Sequence, residues 1–280
     1  MPILILSSEN KELERELAEI IAQKLGYTTL DEQFFNIIAD THLIDRKKIR
    51  QAMNTTPSIV KRMPVKFWYY CLSCVELEVL EHLVEDDCVC WGLWAHFYVM
   101  DISHVLKVRL IGDAASTQLP IVPVRTKKQI AQAERNREKW SLAAFNRKEA
   151  DPGFYDMVID LDQNPVSQVA DTLIKAMGDP KYRAMTYSKN NLMDFVLAAR
   201  VKNALLKSLT DIQVHAQDGT VVVTTRSMKR GKLKKIETIK EIAGQVNGVG
   251  YLEVHWYKDI ITLPGSQGLP LNGPYAKEMR

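Results

Sequence analysis

ILILSSENKELERELAEIIAQKLGY, residues 3–27, is the stretch from which the fold is read. Ile3 to Leu6 is a short apolar run, as a buried strand requires, and Ser7 to Asn10 is a polar turn. Leu13, Leu17, Ile20, Ile21 and Leu25 then recur at helical spacing, and Gly26 stands where a helix ends in left-handed backbone. A strand, a turn and a helix in this order form a phosphate-binding βα unit, in which the unpaired N–H groups of the helix N-terminus face an anion. Such a loop uses glycines, so that backbone N–H groups close on phosphate oxygens, and a lysine to carry charge to them. Between Ser7 and Glu14 there is no glycine, and there are three glutamates, Glu9, Glu12 and Glu14. Acid near a helix N-terminus stabilises the helix by roughly 0.3–1 kcal/mol, and it also repels a bound phosphate. The layout is that of a nucleotide loop; the residue chemistry opposes one.

Outward from this unit, strands alternate with helices. A helix is expected from Leu30 to Ala39, beginning near Asp31, and another from Asp45 to Met53, broken by Thr55, Thr56 and Pro57. After Pro64 and the aromatic cluster Phe67, Trp68, Tyr69 and Tyr70, a long helix runs to about Val84 with Leu77, Leu80 and Leu83 on one face. Cys88 to Gly92 reads as a buried strand, His104 to Ile111 as the next, and Tyr155 to Leu161 as another. Thr126 to Phe145 is a charged helix and Val166 to Met177 a closing one. This alternation predicts a parallel sheet covered by helices, with ligands beyond the carboxyl ends of its strands.

The wording of residues 1–177 resembles the cytidylate kinase-like family of P-loop nucleoside monophosphate kinases. The resemblance rests on the opening strand with AEIIAQKLGY, on LDEQFFNIIADTHLIDRKKI, on VCWGLWAHFYVMDISHVLKVRLIG, and on IAQAERNREKWSLAAFN followed by ADPGFYDMVIDLD, in that order. It implies transfer of the ATP γ-phosphoryl group to a cytidine or related monophosphate, with ATP and Mg²⁺ as cofactors. That chemistry depends on positioning and on cations at the phosphate oxygens. The family's glycine-rich loop corresponds to Asn10 to Arg15, which reads NKELER and holds only Lys11 and Arg15 as basic residues. The family's Gly-Arg-Gly reads Gly92-Leu93-Trp94, without the arginine. Arg135, Arg137 and Lys139 stand where the family's lid helix carries arginines, and Asp31 matches an acidic residue after the first helix. The candidate nucleotide-binding residues are therefore Lys11, Arg15, Asp31, Arg135 and Arg137. A solvated helix face accounts equally well for the arginines, and a helix cap for Asp31.

Gly178-Asp179-Pro180 closes the first unit, and residues 178–190 read as a linker. Asn191 to Leu209 is a helix, Asp211 to Ala216 a strand, Asp218-Gly219 a turn, and Thr220 to Thr225 the return strand of a hairpin. Ile236 to Val246 is a helix and Tyr251 to Tyr257 a third strand. LAARVKNALL, the QDGTVVVTT hairpin and EIAGQVNGVGYLEV resemble a BON domain, a small non-catalytic module that meets membranes or other hydrophobic or anionic partners. The expected architecture is an α/β P-loop kinase-like parallel sheet flanked by helices (1–177), a linker, a small α+β BON-like domain of order αββαβ (191–262), and a flexible Gly- and Pro-rich tail (263–280).

Charge follows the same division. The protein carries +3 in 280 residues, but residues 181–280 hold 16 Lys and Arg against 8 Asp and Glu, while the remainder holds 21 against 26. Arg226, Lys229, Arg230, Lys232, Lys234 and Lys235 crowd the hairpin exit. They are candidates for anionic phospholipid, each basic residue contributing about 1 kcal/mol near such a surface, for a protein partner, or for nucleic acid. No aromatic residue interleaves that run, which argues against single-stranded nucleic acid.

No apolar run reaches the ~20 residues that span a bilayer, and no basic region with an apolar segment opens the chain. We expect a cytoplasmic protein, peripheral to the membrane where the basic module meets lipid. Cys71, Cys74, Cys88 and Cys90 are spaced like a four-thiolate metal site, but they fall on apolar faces and read as small core residues. Three functions follow: a degenerate, non-catalytic nucleotide- or ligand-sensing module coupled to a BON domain; an active nucleoside monophosphate kinase with an atypical loop; or a membrane-surface or scaffold protein acting through the BON domain.

Overall fold

The computed structural model describes residues 2–58, 60, 63–112, 126–227 and 231–258. Five parallel strands form the first sheet: β1 (Ile3–Ser8), β2 (Thr28–Leu30), β3 (Cys88–Trp91), β4 (Val105–Ile111) and β5 (Met157–Asp160), in the order β2-β3-β1-β4-β5. β1 is central, and every one of its residues is buried. Its alternation divides the interior. Ile3 and Ile5 face one core, and Leu4 and Leu6 the other. The second core is closed by α1 (Lys11–Leu25), through Leu13, Leu17 and Ile21, and by α6 (Val166–Met177), through Val169 and Leu173. The first is closed by α2 (Phe34–His42), α3 (Arg46–Asn54) and α4 (Val65–Leu83). An α/β parallel sheet flanked by helices of the P-loop kinase-like kind is thus present.

Local chemistry sets the ends of α1. The Asn10 side chain accepts from the N–H groups of Glu12 and Leu13 at the start. Gly26, at φ 70°, supplies the left-handed close. α5 (Lys127–Phe145) opens on a capping box made by Thr126 and Gln129.

Several boundaries differ from expectation. Residues 28–30 pair in parallel with Cys88 to Cys90 as the edge strand β2, so the next helix begins at Phe34 rather than near Asp31. A three-residue edge strand with two exposed threonines carries no readable alternation. Asp31 caps the turn before α2, accepting from Gln33 N at 2.6 Å, and not the helix itself.

The segment 178–190 is not a bare linker. It holds a short helical turn, Pro180–Tyr182, with Tyr182 buried in the second core, and α7 (Thr186–Leu206) starts within it. After α7 come β6 (Ile212–Gln217), β7 (Thr220–Ser227), α8 (Lys232–Gly244) and β8 (Tyr251–Lys258). β7 lies between an antiparallel β6 and a parallel β8, so a separate, smaller β-rich region of order αββαβ is present. α7 serves both parts. Leu192, Val196 and Ala199 belong to the first core, while Leu197, Val201 and Leu205 belong to the core of the small sheet. A buried ion pair, Lys202 Nζ to Glu76 Oε2 at 2.5 Å, joins α7 to α4. Asn203 Nδ2 donates to Ser73 Oγ beside it.

Cys71 and Cys74 lie in α4, and Cys88 and Cys90 in β3; all four are buried thiols. Burial pushes the Cys71 and Cys88 thiols up to about 12, which removes the thiolate that redox or metal chemistry uses. No helix among the described residues is long and apolar enough to cross a membrane.

Candidate functional site

The carboxyl end of β1 brings together charges that are far apart in the chain. β1 and β4 run in register there, so Ser7 lies opposite Arg109. Arg109 is 5% exposed in β4, two residues beyond the also buried Lys107, and such a charge needs partners. Its Nη2 donates to Glu9 Oε1 at 2.6 Å, and its Nη1 lies 3.5 Å from Glu149 Oε1.

Glu149 sits in the loop between α5 and β5 and is almost fully buried. Its backbone N–H donates to Ser141 Oγ at 3.2 Å, fixing the loop to the end of α5. Ser7 Oγ donates to its carboxylate at 2.7 Å. Arg137, from α5, grips the same carboxylate with Nε, at 2.8 Å, and with Nη2. Burial pushes the Glu149 carboxyl up, but the charge and hydrogen bonds of Arg137, with the Ser7 hydroxyl, together hold it below its ordinary range. The Glu149 carboxylate thus takes the hydroxyl and guanidinium donors that an anionic ligand at the end of β1 would need.

Trp94 forms the opposite wall. It has left-handed backbone, φ 59°, immediately after Gly92 and Leu93. A large side chain is uncommon in that region. Its ring stacks on Trp140 at 4.2 Å between centroids, and the Arg137 guanidinium lies 4.5 Å from its centroid on the ring face. Trp140 is itself fixed, since its indole N–H donates to Ala52 O of α3 at 2.7 Å. The lid helix α5 is therefore pinned to the body of the fold.

These groups surround a cavity of about 270 Å³ lined by Ser7, Glu9, Lys11, Glu14, Trp94, His96 and Arg137, among others. Glu14, in the first turn of α1, is 2% exposed. It accepts from Gly92 N at 3.3 Å, and its Oε2 has no hydrogen-bond partner. Burial raises its carboxyl to about 8, against the opposing pull of Arg137. His96 is equally buried, and burial lowers its imidazole to about 3, so the ring is neutral at pH 7. Its Nε2 lies 3.2 Å from Tyr155 Oη, and its Nδ1 is without a partner.

The residues singled out from sequence are only partly assembled here. Arg137 and Lys11 line the cavity, although the Lys11 ammonium pairs with Glu32 at its mouth. Arg15 lies on the outer face of α1 between Glu12 and Glu19, Arg135 is exposed beside Gln132, and Asp31 caps its turn. None of these three lines the cavity. Ser7, Arg109, Glu149 and His96 were not anticipated as site residues, while Glu14 and Trp94 were placed at the site as departures from the family's pattern and not as binding groups. Arg109 carried a signal, a charge alternating with Lys107 among the apolar residues of a strand run; Glu149, in a loop, carried none.

In the small sheet, Arg226 is paired in register with Tyr257, and Lys232 lies 4.3 Å from the Trp256 ring. The basic cluster does have aromatic neighbours, brought in by β8 from a later part of the chain. Lys235 donates to the carbonyls of Thr210 and Arg226, and Lys234 lies on α8. Lys229, Arg230 and the tail 263–280 lie outside the described residues.

Residues 14–163 match the family described as the cytidylate kinase-like family, which is more than half of the chain. No curated protein matches. Two solved structures align with the chain at low similarity. One is an uncharacterized protein from Eubacterium ventriosum ATCC 27560, 14% identical, with a TM-score of 0.43 over 63% of this chain and 97% of that one. The other is shikimate kinase from Acinetobacter baumannii in complex with shikimate, 13% identical, with a TM-score of 0.36 over 63% of this chain and 93% of that one.

Proposed function

The chain belongs to the cytidylate kinase-like family, and from that premise we propose that it is a non-catalytic member, a ligand-sensing unit joined to a BON-like binding module. The observation that carries this is the Glu149 carboxylate, held by Ser7, Arg137 and Arg109 at the end of β1. The ATP phosphates and Mg²⁺ that family membership implies do not fit the residues present. No glycine lies between Ser7 and Glu14 to let backbone approach a phosphate. The N–H groups of Glu12 and Leu13 already donate to Asn10. Glu9 and Glu14 line the space a polyanion would enter. Removing one transition-state charge partner costs several kcal/mol, and here the Ser7 hydroxyl, Arg109 Nη2 and Arg137 Nε already donate to protein carboxylates.

An active nucleoside monophosphate kinase is the reading this opposes. It requires Glu149 to leave Arg137, and Lys11 to leave Glu32, when nucleotide enters. Titration of the full chain with ATP, CMP and CTP, with and without Mg²⁺, followed by a phosphoryl-transfer assay on the same sample, separates the two. Absence of turnover is expected; turnover lost on Lys11→Ala would establish the kinase.

A second reading concerns the αββαβ region as a BON-like module for an anionic surface. The placing of Arg226 and Lys232 beside Tyr257 and Trp256, with Lys234 on the same helix as Lys232, supports it, because aromatic and basic groups together suit a lipid–water boundary. Co-sedimentation with phosphatidylserine vesicles at low salt, lost in Arg226→Glu/Lys232→Glu/Lys234→Glu, is the expected result. No sedimentation of the wild-type chain at low salt would dismiss it.

A further inference from the structure

Two buried, unpartnered polar groups line the same cavity, Glu14 through Oε2 and His96 through Nδ1. Their chemistry defines what would satisfy them. Tyr155 Oη donates its proton to Glu149 O, at 3.1 Å, so it receives one from His96 Nε2. The neutral imidazole is thereby left with Nδ1 as a bare acceptor. Glu14, when ionised, is also only an acceptor. The other charged groups of the site are matched: Arg137 with Glu149, Arg109 with Glu9, and Lys11 with Glu32. Glu14 is the lining carboxyl that no side-chain cation contacts among the described residues. A phosphate or carboxylate entering here would set oxygen lone pairs against His96 Nδ1, and against Glu14 wherever that carboxyl is ionised. A group bearing N–H donors and positive charge would satisfy them.

We propose that this cavity binds a small organic cation with N–H donors, a primary ammonium or an amidinium, with Glu14 as its counter-ion and His96 Nδ1 as its second acceptor. The proposal rests on the ligand-binding reading of the site given above and specifies the ligand's chemistry. The fold's phosphate position becomes a cation position: the guanidinium and hydroxyl donors turn to protein carboxylates, and one buried carboxyl is left over. Trp94, with Trp140 behind it, gives the ligand's carbon chain an aromatic wall.

Binding is linked to a proton. Burial holds Glu14 protonated near neutral pH, and a cation stabilises the ionised form, so the proton is released on binding. The groups facing Glu14 are Arg137 of α5, Lys11 of its own helix, Glu149 of the α5–β5 loop and the Gly92 N–H; Cys90 of β3 is also near it. Arg137 and Glu149 pair with each other, and Arg137 and Glu149 hold their charges across pH 6–9. Glu14 therefore governs the pH dependence.

The test is isothermal titration of the full chain with agmatine and with n-butylamine, in phosphate and in Tris, at pH 7.0 and 8.5. Saturable binding is expected, about eightfold tighter at pH 8.5, as ionisation of a group near 8 dictates. Up to one proton should be released per ligand at pH 7.0, read as a heat that differs between the buffers. Glu14→Gln retains the acceptor for Gly92 N and should lose at least tenfold in affinity, with no proton release. Wild-type binding without proton release, or unchanged binding by Glu14→Gln, overturns the proposal. Nucleotide binding with no response to either amine overturns the cation but leaves a ligand site; no response to any of them overturns both.

Discussion

At the scale of the residue, the account turns on two buried carboxyls with opposite fates. Glu149 is ionised and held, with its folded-state pKa below the ordinary value of 4.5. Its contribution is present above about pH 4.5 and is lost as pH falls through the lower, folded value. Arg137→Met leaves that charge with Arg109 and Ser7 alone, and we expect a loss of ~3 kcal/mol at pH 7, measured by urea unfolding. Glu14 runs the other way. Its folded pKa of about 8 exceeds 4.5, so the native state loses stability as pH rises from 4.5 to 8. Glu14→Gln should therefore stabilise the protein more at pH 8.5 than at pH 5, by a few kcal/mol, on comparing unfolding midpoints. His96, with its folded value near 3, adds a third slope: stability rises with pH from about 3 to 6.5. These residues also mark where reading from sequence stops. The missing glycines and the surplus of glutamates at 9–14 were plain. That Glu14 would be the unpaired one, and that Glu149 from a distant loop would stand at the end of β1, depends on strand register and loop closure, and no local pattern encodes either.

At the scale of the element, α5 and α7 do the positioning. The lid helix α5 is anchored by Trp140 to Ala52 and presents Arg137 inward, while Arg135, two residues earlier, points to solvent. Helical geometry separates residues two apart onto different faces, so only one of the two arginines reaches the cavity. Both are present in the sequence, and their facing becomes visible only once Trp140 is seen to be buried. α7 begins at Thr186, and in the residues ahead of Asn191 the buried one is the polar Ser188, whose Oγ meets His104 Nδ1 at 2.5 Å. Read for period alone, it was placed to start at Asn191. Its buried Lys202 is matched by Glu76, and removing one partner should be costly. Lys202→Met alone is expected to lose ~3–5 kcal/mol, and Lys202→Met/Glu76→Leu to recover most of it, in the same unfolding assay.

At the scale of the whole molecule, the alternation of strands and helices carried the parallel sheet, and the αββαβ order carried the small one. The short edge strand β2 was missed because three residues show no period. What the element pattern could not show is that the two regions share a helix. Because α7 supplies residues to both cores, we expect a single cooperative thermal transition, with calorimetric and van't Hoff enthalpies equal. Two resolved transitions would mean that the regions unfold independently.

Incubating the 280-residue chain with ATP, Mg²⁺ and CMP, and measuring CDP formed against an enzyme-free control, shows whether the protein's own carboxylates close the phosphate position to phosphoryl transfer. CDP no higher than in that control is expected, for the wild-type chain and for Lys11→Ala alike. Multiple turnover by the wild-type chain, abolished by Lys11→Ala, would contradict it.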